Sequence, residues 1–481
     1  KNARDLSLGE ATLLAALPNA PTLYSPYGNN TNALVKRQQL IIDKLLRNGW
    51  ITKDEARDAI NENALQKIAP LKRAIIAPHF VFAVLEELEQ EYGRDILEQK
   101  GLHIYTTLDL EAQQKAEEVV QKGSSKNLEW GASNAALVAL DAEKGEILAM
   151  VGSKDYFSKD IDGKVNVAMS PRQPGSSFKP LVYATAFEKG YQPETMLFDV
   201  PMSFGPDGQG NEYTPQNYDG KTHGLVSMRQ ALSNSLNIPA VQTQYLAGVE
   251  NTLNQVKRMG LVSLGDNNRY GLSLVLGSGE ASLYQMANAY SVFSQEGLYQ
   301  KASGVLRVED PEHKILQEHT LSNQRVLSTE TARKISSILS DNKARSMVFG
   351  SGTPLAFKNG GVAAKTGTTQ EFRDAWTLGF TRRVAVGVWV GNNDNTPMKS
   401  GADGVFVAAP IWRSYMDYLL TRFPATSFTD YQKVESDKPL LTGNTPFQAE
   451  IFESAPQNSK ERRARKKELR RVSRELHSIL Y

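Results

Sequence analysis

The chain contains no cysteine in 481 residues. That excludes disulfides, thiolate metal sites and a cysteine nucleophile at once. Histidine is scarce: six residues lie scattered, and none form a His-Glu-x-x-His pair, so a zinc hydrolase of that type is not encoded. No stretch approaches about 18 consecutive apolar residues, so no membrane span is expected within the chain. Charge is nearly balanced, with 55 Lys and Arg against 53 Asp and Glu. The body therefore has no basic excess to hold nucleic acid, and no nucleic-acid partner is expected. The basic excess sits at the end: residues 460–481 carry nine Lys and Arg against three Glu, leaving the rest at net −4. No Gly-x-Ser-x-Gly elbow exists, which removes the usual Ser-His-Asp hydrolase layout. Gly220-Lys221-Thr222 resembles the end of a phosphate loop, but Pro215 stands where the first glycine is required.

What is present reads as a globular chain of several domains, 40% hydrophobic and 22% charged. It starts at Lys1 rather than Met, and is read as a piece of a longer protein whose anchor would lie upstream. Ser7 and Glu10 form a capping box before an apolar run that stops at Pro18. A second helix fits Asn32 to Asn48 with Asn32 as its N-cap, and Thr52 caps a third. These helices, residues 1–68, make a small core. Residues 69–134 read as a connector: a helix over Pro78 to Gly93, a strand at Leu102 to Thr107, and a helix from Asp109 to about Lys122. Gly123-Ser124-Ser125-Lys126 is read as a loop. Residues 135–425 form the main unit. Ala136 to Leu140 and Glu146 to Val151 predict a hairpin, and Gly361 to Thr366, Asp374 to Phe380 and Val384 to Val390 predict an antiparallel meander. Helices fill the middle, including Met228 to Ser235 and Ser328 to Ser340. A further helix over Ala408 to Phe423 is expected on the sheet. Residues 426–481 read as a polar linker ending in a basic helix over Lys460 to Ile479.

One constellation carries chemistry. Ser176 and Lys179 stand three residues apart at a helix start, one turn apart on one face. A serine hydroxyl is a weak nucleophile until an adjacent base takes its proton. A lysine amine serves when burial or a neighbouring cation lowers its pKa. Ser-x-x-Lys alone is weak evidence, and it recurs at Ser340 to Lys343. Two further segments strengthen it. Ser235-Leu236-Asn237 supplies a hydroxyl and an amide after a helix. Lys365-Thr366-Gly367-Thr368 ends an apolar strand, where Lys365 offers a cation to a carboxylate and Gly367 permits close backbone approach.

In this order the three segments resemble those of the penicillin-binding proteins and serine β-lactamases. Their flanks resemble class A penicillin-binding proteins. These are Gln173 to Pro180, Asn217-Tyr218 with Gly224, Ser235 to Val241, and Lys365 to Thr369 followed by Asp374-Ala375-Trp376. The resemblance covers Ala135 to Phe423. It implies an α/β (α+β) fold, an antiparallel sheet flanked by helices with an additional helical subdomain. It also implies a D,D-transpeptidase that cross-links peptidoglycan stem peptides, is acylated by β-lactam antibiotics, and needs no cofactor and no metal. Ser176 is then the nucleophile and Lys179 its base. Ser235 and Asn237 relay a proton and hold the peptide. Lys365 and Thr366 bind the terminal carboxylate, with Gly367 and Thr368 beside them. The alternatives are a D,D-carboxypeptidase or β-lactamase, where water accepts the acyl group, and a penicillin sensor without turnover. Ser340-Asp341-Asn342 spells the β-lactamase second motif, but the class A pattern favours Ser235 and Asn237. Leu6 to Ala11 and Leu17 to Pro21 resemble the last helices of a family 51 glycosyltransferase, whose Glu-Asp-x-x-Phe stretch is absent here. The resemblance thus implies a bifunctional parent working on lipid-linked glycan, anchored upstream at the outer face of the bacterial cytoplasmic membrane, with a cell-wall synthesis complex as partner.

Overall fold

The structure is a computed structural model. It describes residues 2–443 apart from residues 22, 29, 69–74, 207–210, 265–268 and 435–438. The basic helix expected over Lys460 to Ile479 lies outside the described residues. Two compact units are divided after Ile76.

The first unit packs α1 (Leu8–Ala16), α2 (Thr31–Arg47) and α3 (Lys53–Asn61). Capping boxes at Ser7 and Thr52 start α1 and α3 as the sequence predicts. The second helix starts at Thr31, and its N-cap is Asn30, two residues before the predicted Asn32. Leu13, Ala16 and Leu34 form a small core among these helices.

The second unit begins with α4 (Pro78–Tyr92), α5 (Arg94–Gln99), β1 (His103–Thr106) and α6 (Leu110–Asn127). The hairpin strands β2 (Asn134–Asp141) and β3 (Glu146–Val151) follow. A helical stretch contains α7 (Lys179–Glu188), the two-stranded pair β4 (Met196–Asp199) and β5 (Gly224–Ser227), then α8 (Met228–Ser233), α9 (Asn237–Ala247), α10 (Val249–Arg258) and α11 (Leu283–Ser294). After these come β6 (Leu298–Tyr299), β7 (Val305–Glu309), β8 (Ile315–Glu318), β9 (Gln324–Arg325), α12 (Thr329–Leu339) and α13 (Asn342–Phe349). The chain then returns through β10 (Ala363–Thr368), β11 (Asp374–Phe380), β12 (Val384–Gly391), α14 (Gly404–Val407) and α15 (Ala409–Arg422).

The central sheet runs β10-β11-β12-β2-β3, antiparallel throughout, so segments more than 200 residues apart pair directly: Val388 faces Leu137. Both faces are covered, and β2 is buried along its whole length. Its side chains alternate between two cores. Ala136, Val138 and Leu140 join the core containing α7 and α11, while Leu137 and Ala139 join the one containing α6 and α15.

The predicted loop at Gly123 to Lys126 is instead the last turn of α6. A Cβ at Gly123 would stand 2.2 Å from Ile411 Cγ1, so the glycine lets α6 lie close against α15. Here packing overrides the local turn signal. After α15, residues 424–434 run along the same unit without regular structure. Phe428 meets Phe380 edge-on, and Tyr431 donates to Glu194.

Candidate active site

A helix that is apolar all round belongs inside a protein, and α7 is buried from Lys179 to Phe187. It carries Lys179 into the interior at 0% exposure. Ahead of it, Gly175–Phe178 makes one 3₁₀ turn, in which residues three apart eclipse each other. Ser176 and Lys179 therefore share a face, as the spacing requires. Pro180 is accommodated in the first turn of α7, where N–H groups lack helical partners. The next hydroxyl, that of Ser177, is buried and donates to Pro174 O at 2.6 Å. Ser176 stays partly exposed.

Lys179 Nζ reaches across to the α8–α9 junction. It donates to Ser235 O at 2.6 Å, Asn237 Oδ1 at 2.7 Å, Leu236 O at 3.2 Å and Ser235 Oγ at 3.4 Å. Among the hydrogen bonds of the described residues, none joins it to Ser176 Oγ; its polar contacts are all with the second motif. Burial, and then the neighbouring Lys365 ammonium, hold the Lys179 amine well below the ordinary lysine range.

The α8–α9 junction explains why Ser235 points into the site. Leu236 N donates to Ala231 O and Ser235 N to Leu232 O, the paired bonds of a Schellman ending. That ending puts Ser235 at φ +59°, a left-handed conformation that normally favours glycine. A serine there is held against its own preference, as strained residues at functional sites often are. Asn237 opens α9. Its Nδ2 donates to Gln216 O and its backbone N–H to Asn217 Oδ1.

The third motif is on β10, the edge strand of the sheet. Lys365 Nζ donates to Ser235 Oγ at 2.7 Å and to Thr366 O at 2.9 Å. Both lysines thus converge on one serine hydroxyl. Lys365 is 3% exposed. Burial, then the Arg345 guanidinium, push its amine down to about 7. Arg345 is also 3% exposed, and no sequence signal marks it. Thr368 Oγ1 accepts from Gly404 N, and Thr366 and Gly367 are buried beside it.

Two glycines bring this strand against the nucleophile turn. A Cβ at Gly367 would stand 2.3 Å from Pro174 O, and one at Gly175 would stand 2.5 Å from Thr368 O. Any side chain at either position would push the turn and the strand apart.

All eight predicted residues, Ser176, Lys179, Ser235, Asn237, Lys365, Thr366, Gly367 and Thr368, thus lie on three segments that meet. Ser340 does not join them. Its Oγ donates to Ser336 O at the end of α12, and Asp341 caps α13 by accepting from Ala344 N. Of the flanking matches, Trp376 is core at 0% exposure and Tyr218 donates to Asp403 Oδ2 at 2.7 Å. Asn217 caps α9 from outside the helix.

Comparisons with known proteins bear on the family and the fold. The penicillin binding protein transpeptidase domain model matches residues 135–417. Penicillin-binding protein 2D of Bacillus subtilis is 30% identical over 440 residues, covering 89% of this chain and 61% of that protein. Penicillin-binding protein 1A of Aquifex aeolicus is 28% identical over 510 residues, covering 89% and 68%. This chain therefore spans about 61% of the length of the Bacillus relative. The crystal structure of penicillin-binding protein 1A from Haemophilus influenzae has the same fold, with a TM-score of 0.73 at 23% identity over 92% of this chain and 84% of that one. The Mycobacterium tuberculosis PonA1 structure with penicillin V has it too, with a TM-score of 0.63 at 24% identity over 75% and 97%. With its three motifs meeting beside the β10 edge, the chain belongs to the penicillin-binding protein transpeptidase family, and residues 135–417 are its serine-type peptidoglycan transpeptidase domain.

Proposed function

We propose that Ser176 carries a two-step acyl transfer between stem peptides. Its Oγ attacks the carbonyl carbon joining two terminal D-alanines. An ester C–O bond forms, the C–N bond breaks, and D-alanine leaves with the proton relayed to its amine. The amine of a neighbouring stem then attacks the ester, forms the cross-linking amide, and Ser176 regains its proton. Lys179 is the base: burial and the neighbouring Lys365 ammonium disfavour its charged form, which favours an amine able to accept a proton. Ser235 and Asn237 pass the proton to the leaving amine and hold the peptide. Lys365 and Thr366 take the terminal carboxylate, and Gly367 lets this strand lie close against the nucleophile turn. The N–H groups of Ser176 and Thr368 form the oxyanion hole, where one donor contributes about 3 kcal/mol. The approach of Gly175 to Thr368 supports that pairing. β-Lactams would be attacked in the same way, leaving an acyl-enzyme that persists.

One observation carries the reading: Lys179 and Lys365, 186 positions apart, both donate to Ser235 Oγ beside the nucleophile turn. Ser176→Ala is expected to abolish covalent labelling by a fluorescent penicillin, and unchanged labelling would refute Ser176 as nucleophile. Incubating the protein with a pentapeptide and an acceptor amine, then weighing products, separates transfer from hydrolysis. A cross-linked mass supports the transpeptidase; a tetrapeptide alone points to a carboxypeptidase.

For the whole protein we propose a place on the outer face of the cytoplasmic membrane, joined to a glycosyltransferase and working with lipid-linked glycan strands in a cell-wall synthesis complex. The resemblance of Leu6 to Pro21 to glycosyltransferase helices supports this. Among the described residues no helix is long and apolar enough to cross a membrane. Within the chain, residues 1–68 would be the glycosyltransferase remnant, 69–134 the connector, 135–425 the transpeptidase and 426–481 a linker and tail.

A further inference from the structure

Lys179 is held by Asn237, and Asn237 is held from behind. The N-cap of α9 is Leu236, which has no side chain able to cap the helix. Asn217, 20 residues upstream, does the work: its Oδ1 accepts from Asn237 N at 2.8 Å and Ile238 N at 3.3 Å. An asparagine amide can serve this way in only one of its two flipped orientations. The other end of the amide sets which. Asn217 Nδ2 donates to both carboxylate oxygens of Asp199, at 2.7 and 2.8 Å, and to Lys221 O at 2.8 Å.

Asp199 is the last residue of β4 and is 0% exposed. A buried carboxylate needs donors on every side. His223, just before β5, supplies two of them to Oδ2, its backbone N–H at 2.9 Å and its ring Nδ1 at 2.6 Å. Its Nε2 lies 3.2 Å from Asp219 Oδ2. The cross-strand pairing of Asp199 with Gly224 brings Asp199 and His223 together.

We propose that Asp199 and His223 are positioning residues for the acyl transfer: through Asn217 they fix Asn237, and through Asn237 the amine of Lys179. The chain of contacts is continuous from His223 to Lys179, with each link between 2.6 and 2.8 Å. Asp199→Asn would leave one acceptor oxygen in place of two and set an amide N–H against the donors of Asn217 or of His223, which loosens the hold on Asn217 and so on the start of α9. The inference rests on Lys179 acting at Ser176.

The test is acylation by a fluorescent penicillin, resolved into the dissociation constant and the limiting acylation rate, with melting curves for each variant. Asparagine at 223 places an N–H where ring Nδ1 stands; glutamine places one nearer Nε2. We expect Asp199→Asn and His223→Gln to lower the limiting rate by about tenfold or more with little change in the dissociation constant, and His223→Asn to restore most of it. Similar slowing by His223→Asn and His223→Gln, or none by either, would overturn the proposal even if Asp199→Asn fails to fold. Lys179→Ala is measured alongside. If it labels at the normal rate, the assignment of Lys179 has failed. If it is slow while the 199 and 223 variants are normal, the positioning role alone has failed.

Discussion

Lys365 is expected to weaken the fold in order to run the reaction, and this can be measured. Its ammonium is buried next to Lys179 and Arg345, and its donors go to neutral oxygens, Ser235 Oγ and Thr366 O. The native amine is pushed down to about 7, while an unfolded lysine stays near 10.5. For a base depressed in the folded state, the sign is definite. Below about pH 7 both states are charged and the full penalty applies, about 5 kcal/mol. Between 7 and 10.5 only the unfolded state binds the proton, so the penalty shrinks as pH rises, to about 2 kcal/mol at about pH 9. Lys365→Met keeps the shape and removes the charge. It also removes two hydrogen bonds, at about 1 kcal/mol each. The variant is therefore expected to melt a few degrees above the parent at about pH 6. The gain should largely vanish at about pH 9, while penicillin acylation falls on the order of a hundredfold. Differential scanning calorimetry at the two pH values, with a labelling time course, reads both. A variant that melts at or below the parent at the lower pH, or whose advantage does not shrink with pH, would refute the argument.

Three further outcomes follow from the same geometry. Ser235→Gly and Ser235→Ala should slow acylation alike, but the glycine variant should be about 1 kcal/mol more stable, because only it relieves the left-handed strain at φ +59°; a melting comparison in which alanine equals glycine would contradict that. Gly123→Ala has a helix-propensity gain of about 1 kcal/mol against it, yet the 2.2 Å approach to Ile411 should win and lower stability by about 1–3 kcal/mol in urea titration; a stabilised variant would show that α6 and α15 can part freely. Lys365→Ala should weaken penicillin acylation far more than Lys343→Ala, because Lys343 is exposed on α13; equal effects would restore the Ser340 segment to consideration.

The sequence alone was enough for the family, its three motifs and most elements. Ser176 and Lys179 are close in the chain, so their spacing states their geometry. The hairpin at residues 136–151 and the strand meander are short apolar, β-rich runs bounded by turn residues, so they can be read locally. The capping boxes at Ser7 and Thr52 name their own helix starts. What the sequence could not decide is everything set by contact between distant segments. Gly123 carries a turn signal, and only the close approach of Ile411 explains why it continues a helix. Arg345 carries no motif, because its influence on Lys365 comes from burial in a shared interior. Asn217 was legible as a flanking match but not as the cap of α9, and Asp199 and His223 were not legible at all. Local patterns record which conformations a segment prefers; burial, like-charge proximity and the orientation of an amide arise only when the β10 edge, the α8–α9 junction and the turn before α7 occupy the same small volume.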